Sequence, residues 1–341
     1  SISVLLVGAM LAAATGIVGA TVVTMGVLSL PTMLKRGYDP KVATGIISAS
    51  GTLGQIIPPS IVLVLLGSVL NISVGDLFIA AVIPGFGLVG LYLLWIIYLA
   101  IFKKETSPAM PAEELKEFAS HNRTRQVVTA FIAPFVLILA VLGSIFAGIA
   151  SPTEAAAIGA FGATLLTVLK GKFNISILRE VSQTTTKLTS MAFMILVGAS
   201  AFGLVFRGMG GDRYLTQLIT SANLDAMHFL GIVMVIIFVA GFFIDFIEIT
   251  FIIVPVVAPI FVHFGIDLLW IGILIAVNLQ TSFLTPPFGF ALFYLKGVAP
   301  KEITTNHIYR GILPYVVIQL IMLLLIVLFP QITLWLPGVF K

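Results

Sequence analysis

The 341 residues are 59% hydrophobic and only 9% charged, with a mean hydropathy of +1.17. A soluble domain carries about a quarter charged residues, so these proportions exclude a water-soluble fold of this length. The formal net charge of +4 does not indicate a nucleic-acid partner, because the basic residues gather at the ends of apolar runs, and the absence of Cys excludes disulfides and thiolate metal sites.

Residues 1–34, 42–75, 77–102, 127–153, 188–206, 268–295 and 311–340 contain no Asp, Glu, Lys or Arg. A bilayer core needs about 20 residues of apolar helix, so most of these stretches are long enough to cross it. The first begins at Ser1, lacks a basic leader and far exceeds the apolar region of a signal peptide. The chain is therefore expected to start inside a longer protein, with further helices upstream.

The basic residues set the orientation. Lys35, Arg36 and Lys41 form a first cluster, and Lys103, Lys104, Lys116, Arg123 and Arg125 a second. Lys170, Lys172, Arg179 and Lys187 form a third, and Lys296, Lys301 and Arg310 a fourth. Two crossings separate the first cluster from the second (42–70 and 77–102) and two separate the second from the third (127–149 and 152–169), so all three lie on the cytoplasmic side by the positive-inside rule. The fourth joins them only if residues 229–262 enter and leave the membrane on one side. As straight helix that stretch measures roughly 50 Å, too long for one crossing and suited to a re-entrant hairpin. Residues 1–34 have the same excess length.

A shift of 228 positions superimposes Pro31 on Pro259, Gly37 on Gly265, Asp39 on Asp267 and Pro58-Pro59 on Pro286-Pro287; Pro84 and Pro314 follow more loosely. Five crossings lie between the copies, and an odd number turns the second upside down. The expected fold is thus an all-α integral membrane protein with an inverted repeat, two re-entrant hairpins and two broken helices. The first repeat covers 1–102, with hairpin 1–35, broken helix 40–70 and spanning helix 77–102. A cytoplasmic loop (103–126) and connecting scaffold helices (127–210) follow. The second repeat covers 226–341, with hairpin 229–264, broken helix 267–297 and spanning helix 311–330.

The first interruption runs Ser48-Ala-Ser50-Gly-Thr52-Leu-Gly54-Gln55-Ile-Ile-Pro58-Pro59-Ser60, and the second Asn278-Leu-Gln280-Thr281-Ser282-Phe-Leu-Thr285-Pro286-Pro287-Phe-Gly289. A proline pair removes two backbone donors and favours a new helix start, while Gly51 and Gly54 allow unwinding. Freed carbonyls with Ser, Thr, Asn and Gln oxygens suit Na⁺; the N-terminus of the next half-helix suits a carboxylate. The first hairpin tip is placed at Thr15-Gly16-Ile17-Val18-Gly19-Ala20-Thr21, and the second at Phe243–Ile249, with Asp245 and Glu248. Ionisable groups at membrane depth are costly and usually functional, which favours ion coordination or a proton-linked role for Asp245 over a buried structural hydrogen bond and leaves Glu248 open between a site and a water-filled vestibule. Glu154, behind Ser151-Pro152, reads as a helix cap, and Arg207 as an interfacial snorkelling residue. His121, His228, His263 and His307 lie at or outside the ends of spans without metal-ligand spacing. Residues 112–120 read as a solvated linker or short surface helix.

These segments resemble the large membrane subunit, DctM type, of tripartite ATP-independent periplasmic (TRAP) transporters. The stretches that carry the resemblance are Met33–Asp39, Gly51–Ser60, Ser151–Ala157 and Asn278–Gly289, which appear in order over nearly the whole chain. Asp245-Phe-Ile-Glu-Ile-Thr250 is similar to the subgroup labelled for mannitol or chloroaromatic compounds.

The resemblance implies an elevator-type permease for small organic acids in the bacterial inner membrane, driven by Na⁺ and needing no other cofactor. It further implies a small membrane subunit of about four helices and a periplasmic solute-binding protein as partners. On this resemblance the Na⁺ candidates are Thr15, Gly16, Gly19, Ser50, Thr52, Gly54, Asp245, Asn278, Thr281 and Thr285. The substrate candidates are Thr21, Gln55, Pro58, Pro59, Ser60, Glu248, Gln280, Ser282, Pro286 and Pro287. The alternatives are an anion symporter of the same fold without a binding protein, a channel, for which two inverted copies in one chain are ill suited, and a membrane enzyme, for which no nucleophile, base or metal constellation is present.

Overall fold

The computed structural model describes residues 1–108, 123–222, 224–287 and 289–340. The linker at 112–120, His121 and Phe288 lie outside them. Among the described residues the protein is all-helical, and six helices are long and apolar enough to cross a membrane. The helices are α1 (Ile2–Thr15), α2 (Val18–Lys35), α3 (Pro40–Thr52), α4 (Ile61–Leu70), α5 (Val74–Phe102), α6 (Arg123–Phe146), α7 (Pro152–Leu169) and α8 (Ile175–Gly208). Then come α9 (Gly211–Ser221), α10 (Ala226–Ala240), α11 (Phe246–His263), α12 (Leu268–Leu284), α13 (Phe290–Val298), α14 (Thr305–Leu328) and α15 (Gln331–Phe340).

Elements recur along the chain. Helix α11 begins and ends 228 residues after α2, and α12 begins 228 residues after α3. Gly37 and Gly265 both take positive φ, 76° and 69°, the left-handed turn that glycine adopts without a steric penalty. Asp39 and Asp267 then cap α3 and α12, each accepting the backbone N–H two residues on, at 2.7 and 2.8 Å. Both proline pairs, Pro58-Pro59 and Pro286-Pro287, contain a cis bond and follow an interrupted helix.

The interrupted helices occupy the centre. Every residue from Ala43 to Thr52 in α3 and from Trp270 to Leu284 in α12 is buried, so each is enclosed on all sides by protein. Helix α3 packs on α14, and α12 packs on both α14 and α5. At the α3–α14 crossing the backbones touch: a Cβ on Gly45 falls 2.7 Å from the Gly311 carbonyl carbon, and one on Gly311 falls 3.0 Å from that of Lys41. Likewise α2 packs on α13, while α11 packs on α4. The first set of helices, α1–α5, and the second, α10–α15, therefore share one core.

Helices α7 and α8 are different. Only 6% of the most apolar window of each is buried, and Phe161, Phe193, Met194 and Leu204 stand exposed. Apolar faces of this extent are stable against lipid tails or another membrane helix. Helix α8 starts at Ile175, well before the charge-free run at 188, because the polar Ser, Thr, Gln and Lys side chains of its first half do not oppose helix formation. The chain also breaks at Phe329–Pro330, where Pro330 cannot continue α14, and the short α15 turns back against α5.

Candidate ion and substrate site

The first tip lies between α1 and α2, where Gly16 at φ 63° ends α1 and Ile17 is extended. The Thr15 and Thr21 hydroxyl oxygens lie 2.7 Å apart, and each hydroxyl also approaches a helix carbonyl, Thr15 to Leu11 at 2.9 Å and Thr21 to Ile17 at 3.1 Å. Thr21 is buried, whereas Gly19 faces the Tyr294 ring of α13, away from that pair. Opposite the tip, α3 gives way to a single 3₁₀ turn, Leu53–Gln55, against which α1 packs. The contact needs glycine: a Cβ on Gly54 falls 2.8 Å from the Ala12 carbonyl carbon.

Across the interruption, the Ser60 hydroxyl donates to the Gln55 carbonyl at 2.6 Å and accepts the Leu63 N–H at 3.4 Å. Ser60 thus closes the gap left by Pro58 and Pro59 and caps the start of α4. Ser50 and Thr52 donate back to the Ile47 and Ala49 carbonyls, at 3.1 and 2.9 Å. Their lone pairs remain available to a ligand.

The second tip is a longer turn, Gly241–Asp245, that ends in an N-cap: the Asp245 carboxylate accepts the Phe246 N–H at 2.7 Å. Glu248 stands in the first turn of α11, with Oε2 buried and without a hydrogen-bond partner. Residues 249–253 widen into a π turn, unlike the regular α2. Pro255 accounts for the difference, since its ring displaces the carbonyl four residues back; the matching position in α2 is Val27.

Helix α12 faces this tip through α10. The Asn278 amide donates to the Met234 carbonyl at 2.8 Å, and a Cβ on Gly241 falls 2.8 Å from Ser282 Cβ. Thr281, Ser282 and Thr285 donate to the Val277, Leu279 and Thr281 carbonyls at 2.7, 2.8 and 2.7 Å. Beyond Pro286-Pro287, the Tyr309 hydroxyl of α14 donates to the Pro287 carbonyl at 2.7 Å.

Helix α12 also contacts α3 and the 3₁₀ turn. Gln55 and Gln280 are 1% and 0% exposed, and neither amide has a hydrogen-bond partner. Two buried, unsatisfied carboxamides are a costly defect in a finished core and a ready donor–acceptor set for a ligand. Ser48 and Thr250 add two more buried hydroxyls without partners. Both stand inside stretches quoted above, but their burial comes only from packing between elements. Tyr309 gives no signal in the sequence.

Glu154 closes a capping box, its carboxylate accepting the Ser151 N–H and hydroxyl at 2.7 and 2.8 Å. Arg207 borders a 290 Å³ cavity between α4, α8 and α11, away from the two interruptions.

These features define a polytopic helical membrane protein whose polar centre is formed by two interrupted helices. The model of the tripartite ATP-independent periplasmic transporter, DctM component, matches residues 2–332, and the chain belongs to that family. It is 32% identical over 339 residues to the C4-dicarboxylate TRAP transporter large permease protein DctM of Pseudomonas aeruginosa, covering 99% of this chain and 77% of the relative. It is 30% identical to the sialic acid TRAP transporter permease protein SiaT of Haemophilus influenzae, covering 92% of this chain and 50% of that longer protein. Identity to the ectoine TRAP transporter large permease protein TeaC of Halomonas elongata is 28%, over 95% and 74% of the two chains. The protein is a transporter permease subunit and not an enzyme.

Proposed function

We propose that the protein is the permease of a sodium-coupled, binding-protein-dependent secondary transporter that imports small organic acids across the bacterial inner membrane by an elevator movement. The observation that carries this reading is the pair of buried, partnerless amides, Gln55 and Gln280, one on each interrupted segment. In this reading residues 1–102 and 226–341 are two inverted copies of one motif, and residues 127–210 form the connecting scaffold. Carbonyls freed at the ends of α3 and α12, with hydroxyls of the tips, hold Na⁺. The N-termini of α4 and α13 and the two glutamines receive the substrate carboxylate.

Dicarboxylate and sialic acid, named for two relatives, share a carboxylate, which supports that class of substrate without choosing among its members. The exposed apolar faces of α7 and α8 suit a small membrane subunit. A periplasmic binding protein delivers the substrate, as membership of a tripartite family supports.

The test is uptake into proteoliposomes holding both membrane subunits, with loaded binding protein outside and an imposed Na⁺ gradient. Uptake is expected to collapse when K⁺ replaces Na⁺. Equal uptake in the two salts ends the sodium reading, and equal uptake without the binding protein favours the binding-protein-independent symporter.

A further inference from the structure

At the end of the molecule that carries Lys35, Lys41, Lys103 and Arg310, helices α3, α5 and α14 enclose a groove of about 220 Å³. Lys41, Lys103 and Arg310 line it, and no carboxylate among the described residues comes within ion-pair distance of any of the three. The one acid among the described residues that line it, Asp39, caps α3 through the Lys41 N–H, and its own N–H donates to the Thr106 carbonyl at 3.1 Å. Among the described residues, three cations thus face one carboxylate.

The rest of the wall is apolar. Trp95 and Leu99 of α5 and Pro314 of α14 form the sides, and Tyr315, which is 1% exposed with a hydroxyl lacking a hydrogen-bond partner, closes the inner end. Outside the groove the same two helices present Tyr98, Ile101, Leu313 and Val317, all exposed. Positive charge at the mouth of an apolar cleft, continuous with an apolar helix surface, matches a phosphodiester carrying acyl chains. A free phosphate gains nothing from Trp95, Leu99 or the exposed face beyond.

We propose that this groove binds the headgroup phosphate of an anionic phospholipid of the cytoplasmic leaflet. The side follows from the bias of the basic residues. The groove joins α3 of the first set to α14 of the second, so the lipid ties the two together where α3 enters the membrane.

The experiment takes the complete permease with its small subunit, stripped of lipid in a neutral detergent, and follows thermal unfolding during titration with phosphatidylglycerol, phosphatidylcholine or inorganic phosphate. Phosphatidylglycerol is expected to raise the unfolding midpoint of the wild type, and the other two to leave it unchanged. The Lys103→Gln/Arg310→Gln variant, in which both altered side chains are exposed, is expected to bind phosphatidylglycerol about thirtyfold more weakly, and Lys103→Gln alone about fivefold. Lys172→Gln/Arg179→Gln, two exposed basic residues outside the groove, is expected to match the wild type. The proposal is overturned if the groove variants respond to phosphatidylglycerol as the wild type does, or if the control pair weakens it equally. Inorganic phosphate that stabilises as well as phosphatidylglycerol overturns the lipid assignment in favour of a soluble anion.

Discussion

The contact between the second hairpin and its broken helix offers a direct test of how the site is held. Gly241 sits against Ser282, and a Cβ at 241 falls 2.8 Å from Ser282 Cβ, where carbon atoms prefer about 3.5–4.0 Å. Gly241→Ala therefore forces the two helices apart by about 0.7 Å or more, and overpacking of this kind costs about 1–3 kcal/mol. At the matching position of the first set, 228 residues before Ser282, stands Gly54, whose close neighbour is the Ala12 backbone. Adding Ser282→Gly to Gly241→Ala removes the Cβ that the new methyl meets.

The double variant should unfold close to the Ser282→Gly single variant, so that the cycle shows a favourable coupling of about 1–3 kcal/mol. Thermal unfolding of the purified permease in detergent is the assay, since Ser282 is itself a substrate candidate and uptake is a confounded readout. Strictly additive losses, or a Gly241→Ala variant as stable as the wild type, would refute the claim that this contact sets the spacing of hairpin and break.

Gln280→Leu and Gln55→Leu should leave the unfolding midpoint unchanged or raise it, because an apolar side chain of similar size replaces an unsatisfied amide, while the apparent affinity for Na⁺ or substrate falls about tenfold to a hundredfold. A loss of stability with uptake intact would make these side chains structural. Asp245→Asn should abolish or strongly weaken the sodium dependence of uptake, and unchanged dependence removes Asp245 from the site. His263→Cys should react with an impermeant thiol reagent from the periplasm and Arg36→Cys from the cytoplasm; reaction of both from one face contradicts the inverted arrangement.

Helix interruptions announce themselves. Proline lacks the N–H that continues a helix, so Pro58-Pro59 and Pro286-Pro287 mark the breaks, and Gly37-Tyr-Asp39 and Gly265-Ile-Asp267 mark the turns and caps before α3 and α12. The same logic reaches the π turn, since Pro255 has no counterpart in α2. What charge-free runs mislead about is length. Helix α8 extends through Arg179 and Lys187 to Ile175, because charged residues end a membrane span without ending a helix.

The candidate site was legible as a set of segments, not as a set of partners. Nothing at position 55 or 280 tells that those amides are buried without hydrogen bonds, since this depends on α12 lying beside the 3₁₀ turn. The Thr15–Thr21 contact and the Asn278–Met234 bond likewise depend on how separate helices pack.

On the proposed reading the two tips differ in a way that bears on coupling. The first offers Thr15 and Thr21, neutral oxygens only, whereas the second brings Asp245 and Glu248. A cation placed at the second tip is compensated by a carboxylate of the protein and needs no substrate. A cation at the first tip leaves an unbalanced positive charge in a medium of low dielectric, where each charge interacts several times more strongly than in water. The nearest remedy is the carboxylate of an organic acid at the adjoining break. Sodium at the neutral tip and the anionic substrate then raise each other's affinity by the same factor, as linkage requires. An asymmetric pair of tips thereby binds one ion in advance and reserves the other for the loaded state.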